Sequence, residues 1–591
     1  MYEYRAPRRE LSFVLHEVLE VEAVLAALGR GEVNRSLIDE IIEESAKFSE
    51  QVLSPLNWQG DREPPQCVQG VVTAPAAFKS AYQQYRQDGW PTMAGPAEYG
   101  GQALPSLAHV PVGELLCSAA MAWRMASGLS EGAVLALSKH GSDVLKSAYL
   151  PKLISGEWAG TMCLTEPQAG TDLSILKTRA EPAADGSYRL TGTKIYISWG
   201  EHDLTENIIH LVLARMPDAP AGVKGISLFL VPKRLDGKAN GVSCLSIEHK
   251  MGIHGSPTCV MSFEQATGFL IDKPGGGLAC MFTMMNQARL GVGLQGLGLS
   301  ERALQAATHY ALERLQGRAS HGAEQPNQNA DPIVVHADVR RMLMTIKSQT
   351  EAQRLLVYYT YLLEDTLTFS SDAKTREGAA LLASLLVPIV KANLTDAAFE
   401  HASLALQVHG GSGFIRDTGV EQYVRDARIT MIYEGTNGIQ ALDLLGRKVL
   451  MNGGAAVQLM IKTIQNSLPS ELPQQVQPWA AALATQLAQW GELTALVGGR
   501  VRQDPEELGA VAVDYLQYCA CLLLGWCWVR MAIVAARQVS AGSAEAPYYQ
   551  AKLAAAAFYF ERLWPKHLSL AAGIRAGGSS LPRLTSEQWS A

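Results

Sequence analysis

The chain changes its hydrophobic period twice, from helical to strand-like and back, and those changes limit what it can fold into. Between Ser187 and Ala266, the β-branched and aromatic runs Y-R-L-T-G-T-K-I-Y-I-S, N-I-I-H-L-V-L-A-R and G-I-S-L-F-L-V-P-K are separated by Gly, Pro and Asp. That is the pattern of strands joined by turns. Helical spacing runs through Gly113 to Leu153 before it, and long helices return from Gly277, with Met342 to Leu363 and Gly378 to Val408 wide enough to form a bundle. The reading is therefore α+β: a helical domain, a central β domain, a helical bundle, and a further C-terminal helical domain. At 591 residues the chain exceeds one ordinary core and calls for three or four packing units. We divide it at 1–35, 36–160, 161–275, 276–452 and 453–591.

Within 1–35, one helix is expected over Leu11 to Leu28. The next domain opens with Leu37, Ile38, Ile41, Ile42, Phe48 and Val52 on one helical face, Ser36 as N-cap and Pro55 beyond the end. A net charge of −7 is small for this length and argues against wholesale attraction to nucleic acid or an anionic membrane. Nine cysteines lack metal-ligand spacing and read as buried, reduced thiols of a cytoplasmic protein, and no metal site is expected. The first residues carry charges throughout and lack the apolar core of a signal peptide. The longest apolar stretch, Tyr518 to Val529, meets Arg530 before reaching the roughly 20 residues of a bilayer span, so a buried helix and no transmembrane segment are expected.

The segment M-I-Y-E-G-T-N-G-I-Q, Met431 to Gln440, places one carboxylate, Glu434, at a turn after an apolar lead-in. Alone it is equally a helix end followed by a cap. Five further segments accompany it in order: T-M-C-L-T-E-P-Q-A-G-T-D-L (Thr161 to Leu173), K-I-Y-I-S-W-G (Lys194 to Gly200), K-M-G-I-H-G-S-P-T (Lys250 to Thr258), Y-A-L-E-R (Tyr310 to Arg314) and Q-V-H-G-G-S-G-F (Gln407 to Phe414). Together they resemble the acyl-CoA dehydrogenase family of flavoproteins from about residue 36 to about 450. The first 35 residues and the Ala- and Leu-rich tail lie outside the family's usual core. This layout resembles the extended branch that includes 3-methylmercaptopropionyl-CoA dehydrogenase and some long fatty acyl-CoA dehydrogenases.

The resemblance implies FAD as cofactor and Glu434 as the base that takes the α-proton of an acyl-CoA, while hydride passes from the β-carbon to the flavin. The lead-in of Met431, Ile432 and Tyr433 would raise its pKa and exclude water. Its backbone N–H and a ribityl hydroxyl would hold the thioester oxygen. Met162, Leu164 and Thr165 match isoalloxazine contacts, Thr171 a phosphate and substrate contact, Tyr196 an aromatic wall and Ser198 a hydroxyl at the flavin. Arg314, Gln316, Gln407, Gly410 and Gly411 match residues that hold the FAD pyrophosphate of a neighbouring subunit, which implies a homodimer. Thr436 completes the cofactor set, and Asn286, Arg289 and Gly435 join Thr171 toward substrate. Electron-transfer flavoprotein would take the electrons.

Some relatives carry their base at the position before Arg289, where this chain has Ala288. Departures are Tyr196 where many relatives have Trp, Gly317 for a common Phe and Gly438 for Gln. The run G-V-G-L-Q-G, Gly291 to Gly296, fits the dinucleotide fingerprint but follows a helical pattern, so it is assigned to close helix packing and no nicotinamide site is expected. The extended layout favours medium- or long-chain fatty acyl-CoA in β-oxidation, and a short sulfur-containing acyl-CoA suits the same motifs. An acyl-CoA oxidase and a non-catalytic, DNA-binding flavoprotein of the alkylation-response type remain the alternatives.

Overall fold

The computed structural model describes residues 3–591. Met1 and Tyr2, which belong to the 1–35 extension, lie outside the described residues. The chain divides into two units, one of Glu3–Ala6 with Glu40–Gly298, the other of Pro7–Asp39 with Leu299–Ala591.

The first unit carries the sheet. Helix α1, Ser106–His140, is interrupted at Ala120, which has extended dihedrals inside the helix. After it come strands β1 Trp158–Cys163, β2 Arg179–Pro182, β3 Tyr188–Ser198, β4 Asn207–Arg215, β5 Ile226–Pro232, β6 Val242–Ile247 and β7 Thr258–Ile271. They form one seven-stranded sheet in the order β6-β7-β3-β2-β4-β1, and β5 pairs with β7 and β4. Only β1 with β4 and β2 with β4 run parallel. Strands β4 and β5 are buried along almost their whole length, which explains why they are apolar but for a few residues such as His210 and Ser227. Ala133, Ala136 and Leu137 of α1 share a core with Ile209, Leu211, Leu213 and Leu230, so the helix covers one face of the sheet.

Helix α2, Gly277–Glu313, absorbs the glycine run from Gly291 to Gly296, and no βαβ unit forms there. The packing expected of these small residues is found nearby: a Cβ on Gly298 would sit 2.7 Å from the Ser118 backbone nitrogen, whereas one on Gly291 would meet nothing.

The second unit is helical. Its helices include α3 Ala337–Phe369, α4 Ala373–His409, α5 Glu421–Thr430, α6 Asn437–Leu442, α7 Gln477–Gln503 and α8 Glu506–Ser540. The apolar stretch 518–529 forms the middle of α8, and Arg530 does not end it. By length and composition α8 could cross a membrane, so the length argument from the sequence fails. What settles its place is burial: 89% of its most apolar window is covered by the fold. Trp528 donates its indole N–H to the Ser348 carbonyl at 3.0 Å and Trp526 meets Tyr359 edge-on at 4.9 Å, both against α3.

Two local expectations are corrected. The helix expected over Leu11 to Leu28 is broken: Arg8–Val18 is helical, Glu20 is left-handed at φ 51°, and a second helix spans Val21–Ala27. Arg530 donates to the Val18 carbonyl at 2.9 Å, taking an acceptor that a continuous helix would have used for its own ladder. The N-cap of Arg35–Phe48 is Asn34, whose side chain accepts from the Leu37 N–H at 3.1 Å, and Ser36 lies within the first turn. Eight cysteines are buried as expected, and Cys67 is half-buried.

Candidate active site

Helix α5 ends at Thr430, and the chain reaches α6 through a turn in which Glu434 has φ 57° and Gly435 φ 86°. A glutamate in the left-handed region is strained unless its surroundings hold it there. Here they do. The Gln440 amide donates to the Glu434 carbonyl at 3.0 Å and to the Gly435 carbonyl at 3.1 Å, and the buried Lys391 ammonium donates to the Gly435 carbonyl at 2.9 Å. Thr436 caps α6 by accepting from the Ile439 N–H at 3.3 Å. The segment is thus both the helix end with its cap and a rigid mount for one carboxylate. Its apolar lead-in is only partly dry, because Ile432 is 45% exposed while Met431 and Tyr433 are half-buried.

The residues matched to the flavin pyrophosphate gather in this same helical unit. Tyr310 stacks on His409 at 4.4 Å between ring centroids, which sets the end of α2 beside the end of α4. Exposed Arg314 lies one turn beyond Tyr310, and exposed Gln407, Gly410 and Gly411 flank His409. Added Cβ atoms on Gly410 or Gly411 would meet nothing within 4 Å, so their backbone is open to a ligand. Gln316 sits in a loop closed by Asp331, whose carboxylate accepts the N–H groups of Ala319, Glu324 and Gln325. Those bonds, the Ala319 N–H foremost, hold the Asp331 carboxyl down to about 2. Neither the Tyr310–His409 stack nor the Asp331 clasp was identified from sequence. Tyr310 lay inside a quoted motif, whereas Asp331 had no signal beyond a loop aspartate.

In the sheet-bearing unit, the Ile195 N–H of β3 donates to the Thr165 carbonyl at 2.9 Å, which brings the segment after β1 alongside Tyr196. Tyr196 has φ 60° and is 61% exposed, with Met162, Leu164, Thr165 and Ser198 half-buried. This surface of aromatic, aliphatic and hydroxyl groups beside a strand suits a flat heteroaromatic ring. The open glycines with Arg314, Gln316 and Gln407 suit a pyrophosphate, so both residue sets fit FAD. Thr171 is exposed. On α2, Asn286 is exposed and Arg289 is buried.

Glu166, the residue after Thr165, anchors that segment. It accepts from Lys194 at 2.9 Å, from the Thr178 hydroxyl and N–H at 2.5 and 3.0 Å, and from the Lys177 N–H at 2.7 Å. Burial pushes its carboxyl up, but Lys194 and these donors outweigh burial and hold it at about 2. The described residues contain no cluster suited to a metal ion.

Four family models match the chain in order: the acyl-CoA dehydrogenase N-terminal domain over residues 40–157, its middle domain over 161–266, its C-terminal domain over 275–450, and an acetyl-CoA dehydrogenase C-terminal-like domain over 456–585. The chain belongs to the acyl-CoA dehydrogenase family of FAD-dependent oxidoreductases acting on CH–CH bonds, in a form with an extra C-terminal helical domain. It is 42% identical over 572 residues, covering 95% of this chain and 96% of the relative, to the 3-methylmercaptopropionyl-CoA dehydrogenase of Ruegeria pomeroyi. Its fold is similar to that of Caenorhabditis elegans ACDH-11 in complex with C11-CoA (TM-score 0.78, 19% identity, 94% of this chain and 91% of that one). A second fold neighbour is an acyl-CoA dehydrogenase from Bacillus anthracis complexed with FAD (TM-score 0.74, 21% identity, 95% and 91%).

Proposed function

We propose that the chain dehydrogenates a short acyl-CoA of the 3-methylmercaptopropionyl type to the trans-2-enoyl-CoA, with Glu434 as the base. The observation that carries the assignment of the base is the Glu434 turn. Lys391 and Gln440 hold the left-handed backbone that carries the Glu434 carboxylate, so the mount of the base is set before substrate arrives. The choice of a short thioether substrate is supported by the relative that shares 42% of its sequence along nearly the whole length of both chains. FAD, when bound, supplies the acceptor for the hydride equivalent lost from the β-carbon. Met162, Leu164, Thr165, Tyr196 and Ser198 would hold its ring. Arg314, Gln316, Gln407, Gly410, Gly411 and Thr436 would hold its phosphate end across a homodimer, by the family pattern. Thr171, Asn286, Arg289 and Gly435 are assigned to the acyl-CoA. Electron-transfer flavoprotein is the proposed acceptor, and the cytoplasm the proposed compartment.

The test is anaerobic bleaching of the flavin by a series of acyl-CoAs, from 3-methylmercaptopropionyl and butyryl to octanoyl and palmitoyl. Fastest bleaching by the first is expected, and a clear preference for octanoyl- or palmitoyl-CoA would return the assignment to fatty-acid β-oxidation. Glu434→Gln should retain FAD and abolish bleaching, because the amide keeps the shape and cannot take the proton. Near-normal turnover by that variant would refute the base. Hydrogen peroxide formed in step with the enoyl product would mark an oxidase.

A further inference from the structure

The extra C-terminal domain reaches the turn that carries Glu434. Gln517 lies on α8, inside the stretch 456–585 and outside the three core domain matches. Its amide N–H donates to Asp396 Oδ2 on α4 at 2.7 Å. The other oxygen of Asp396 accepts from the Asn437 amide at 2.6 Å. Asn437 Oδ1 accepts from the Lys391 ammonium at 2.8 Å, and Lys391 also donates to the Gly435 carbonyl, next to Glu434. Behind Gln517 the series continues: its Oε1 accepts from Asn393 at 3.0 Å, and Asn393 accepts from the buried Gln353 at 3.0 Å.

Every amide in this series donates in the sense that ends on the Asp396 carboxylate. Gln353, Asn393 and Gln517 point toward it from one side and Asn437 from the other. Asp396 therefore holds its two oxygens in fixed roles, one for the added domain and one for the residue that begins α6. An anion that is the common acceptor of two polar chains orders both.

We propose that Gln517 is a positioning residue for the reaction: through Asp396, Asn437 and Lys391 it fixes the Glu434–Gly435 turn, so that the added domain sets the geometry of the base. This rests on Glu434 being the base. It does not place Gln517 in contact with substrate or cofactor.

The experiment uses full-length holoenzyme and measures kcat and KM across the neutral pH range, FAD content and Tm. Gln517→Leu removes one of the bonds to Asp396 and should lower kcat about tenfold, with KM less affected and FAD retained. Gln517→Glu sets two carboxylates against one another, which must share a proton. Its kcat should fall as pH rises and that proton leaves, a limb absent from the parent profile. The double variant Asp396→Asn with Gln517→Glu restores one donor and one acceptor with the sense reversed, and should return both kcat and the parent pH profile.

Gln517→Glu with the parent kcat and pH profile would overturn the coupling, as would activity that falls only in step with FAD loss and Tm and is not restored by the double variant. Those results, with Glu434→Gln inactive, leave the base assignment standing. An active Glu434→Gln overturns both.

Discussion

Lys552 holds the N-terminal extension in place, and removing it should unfold that contact at a cost that can be worked out. Its side chain is 1% exposed, and its ammonium is ion-paired with Glu10 and lies 3.1 Å from Glu351, whose side chain is 3% exposed. The Phe13 and Tyr548 rings flank it at 5.0 and 5.3 Å. Burial by itself would raise the Glu10 carboxyl, but Lys552 first, then Lys347 and Arg354, bring it from 4.5 down to about 2. A lowered folded-state value means that the ionised carboxyl stabilises the fold. The sign follows from the lowered value: the contribution is complete above about pH 4.5 and is lost as pH falls toward 2. Lys552→Ala takes from half-buried Glu10 and buried Glu351 the cation they share, with Lys347 still paired to Glu351, which should cost about 2–3 kcal/mol near neutral pH. Because those carboxylates can then take up a proton, the deficit should shrink on acidification toward pH 5. Urea unfolding of parent and variant at the two pH values measures this, with limited proteolysis reporting release of residues 7–39. A loss below about 1 kcal/mol, independent of pH, is what an exposed ion pair gives and would refute the account.

Lys194→Met removes the buried ammonium 2.9 Å from Glu166 and should cost about 3–5 kcal/mol while loosening FAD, because the Thr165 segment hangs on that carboxylate. Unchanged FAD content and Tm would show that the anchor is dispensable. Arg314→Ala should weaken FAD retention and dimer stability together, through loss of a charge-assisted contact to pyrophosphate. Full FAD occupancy in a dimer that survives dilution would exclude that contact.

The order of helix, sheet and helix was legible because period is a local property: β4 and β5 read as strands from their own residues. Glu434, Tyr196 and the glycines after Gln407 were singled out by the motifs that carry the family resemblance, each a short local run. Contacts between distant residues were hidden. Nothing around Glu166 announces Lys194, 28 residues away, and nothing around Gln517 announces Asp396, 121 away. Arg530 shows the same limit from the other side. Read locally, it ends an apolar run. In the fold its guanidinium satisfies the Val18 carbonyl, 512 residues away, while α8 continues past it. Asn34 displaced Ser36 as cap because two polar residues either side of Arg35 offer equal local signals, and backbone geometry picks one.

The unit that holds Glu434 is built from residues 7–39 and 299–591, and Glu10 meets Lys552 across 542 residues. On the ribosome the first segment is made long before its seat exists. At 5–20 residues per second the interval is roughly half a minute to two minutes. Throughout that time Phe13, buried in the finished protein against Tyr548 and Tyr549, lacks those two partners. Synthesis must therefore run nearly to its end before this half of the enzyme can close, and a chain stalled before Lys552 emerges presents that segment to chaperones and proteases.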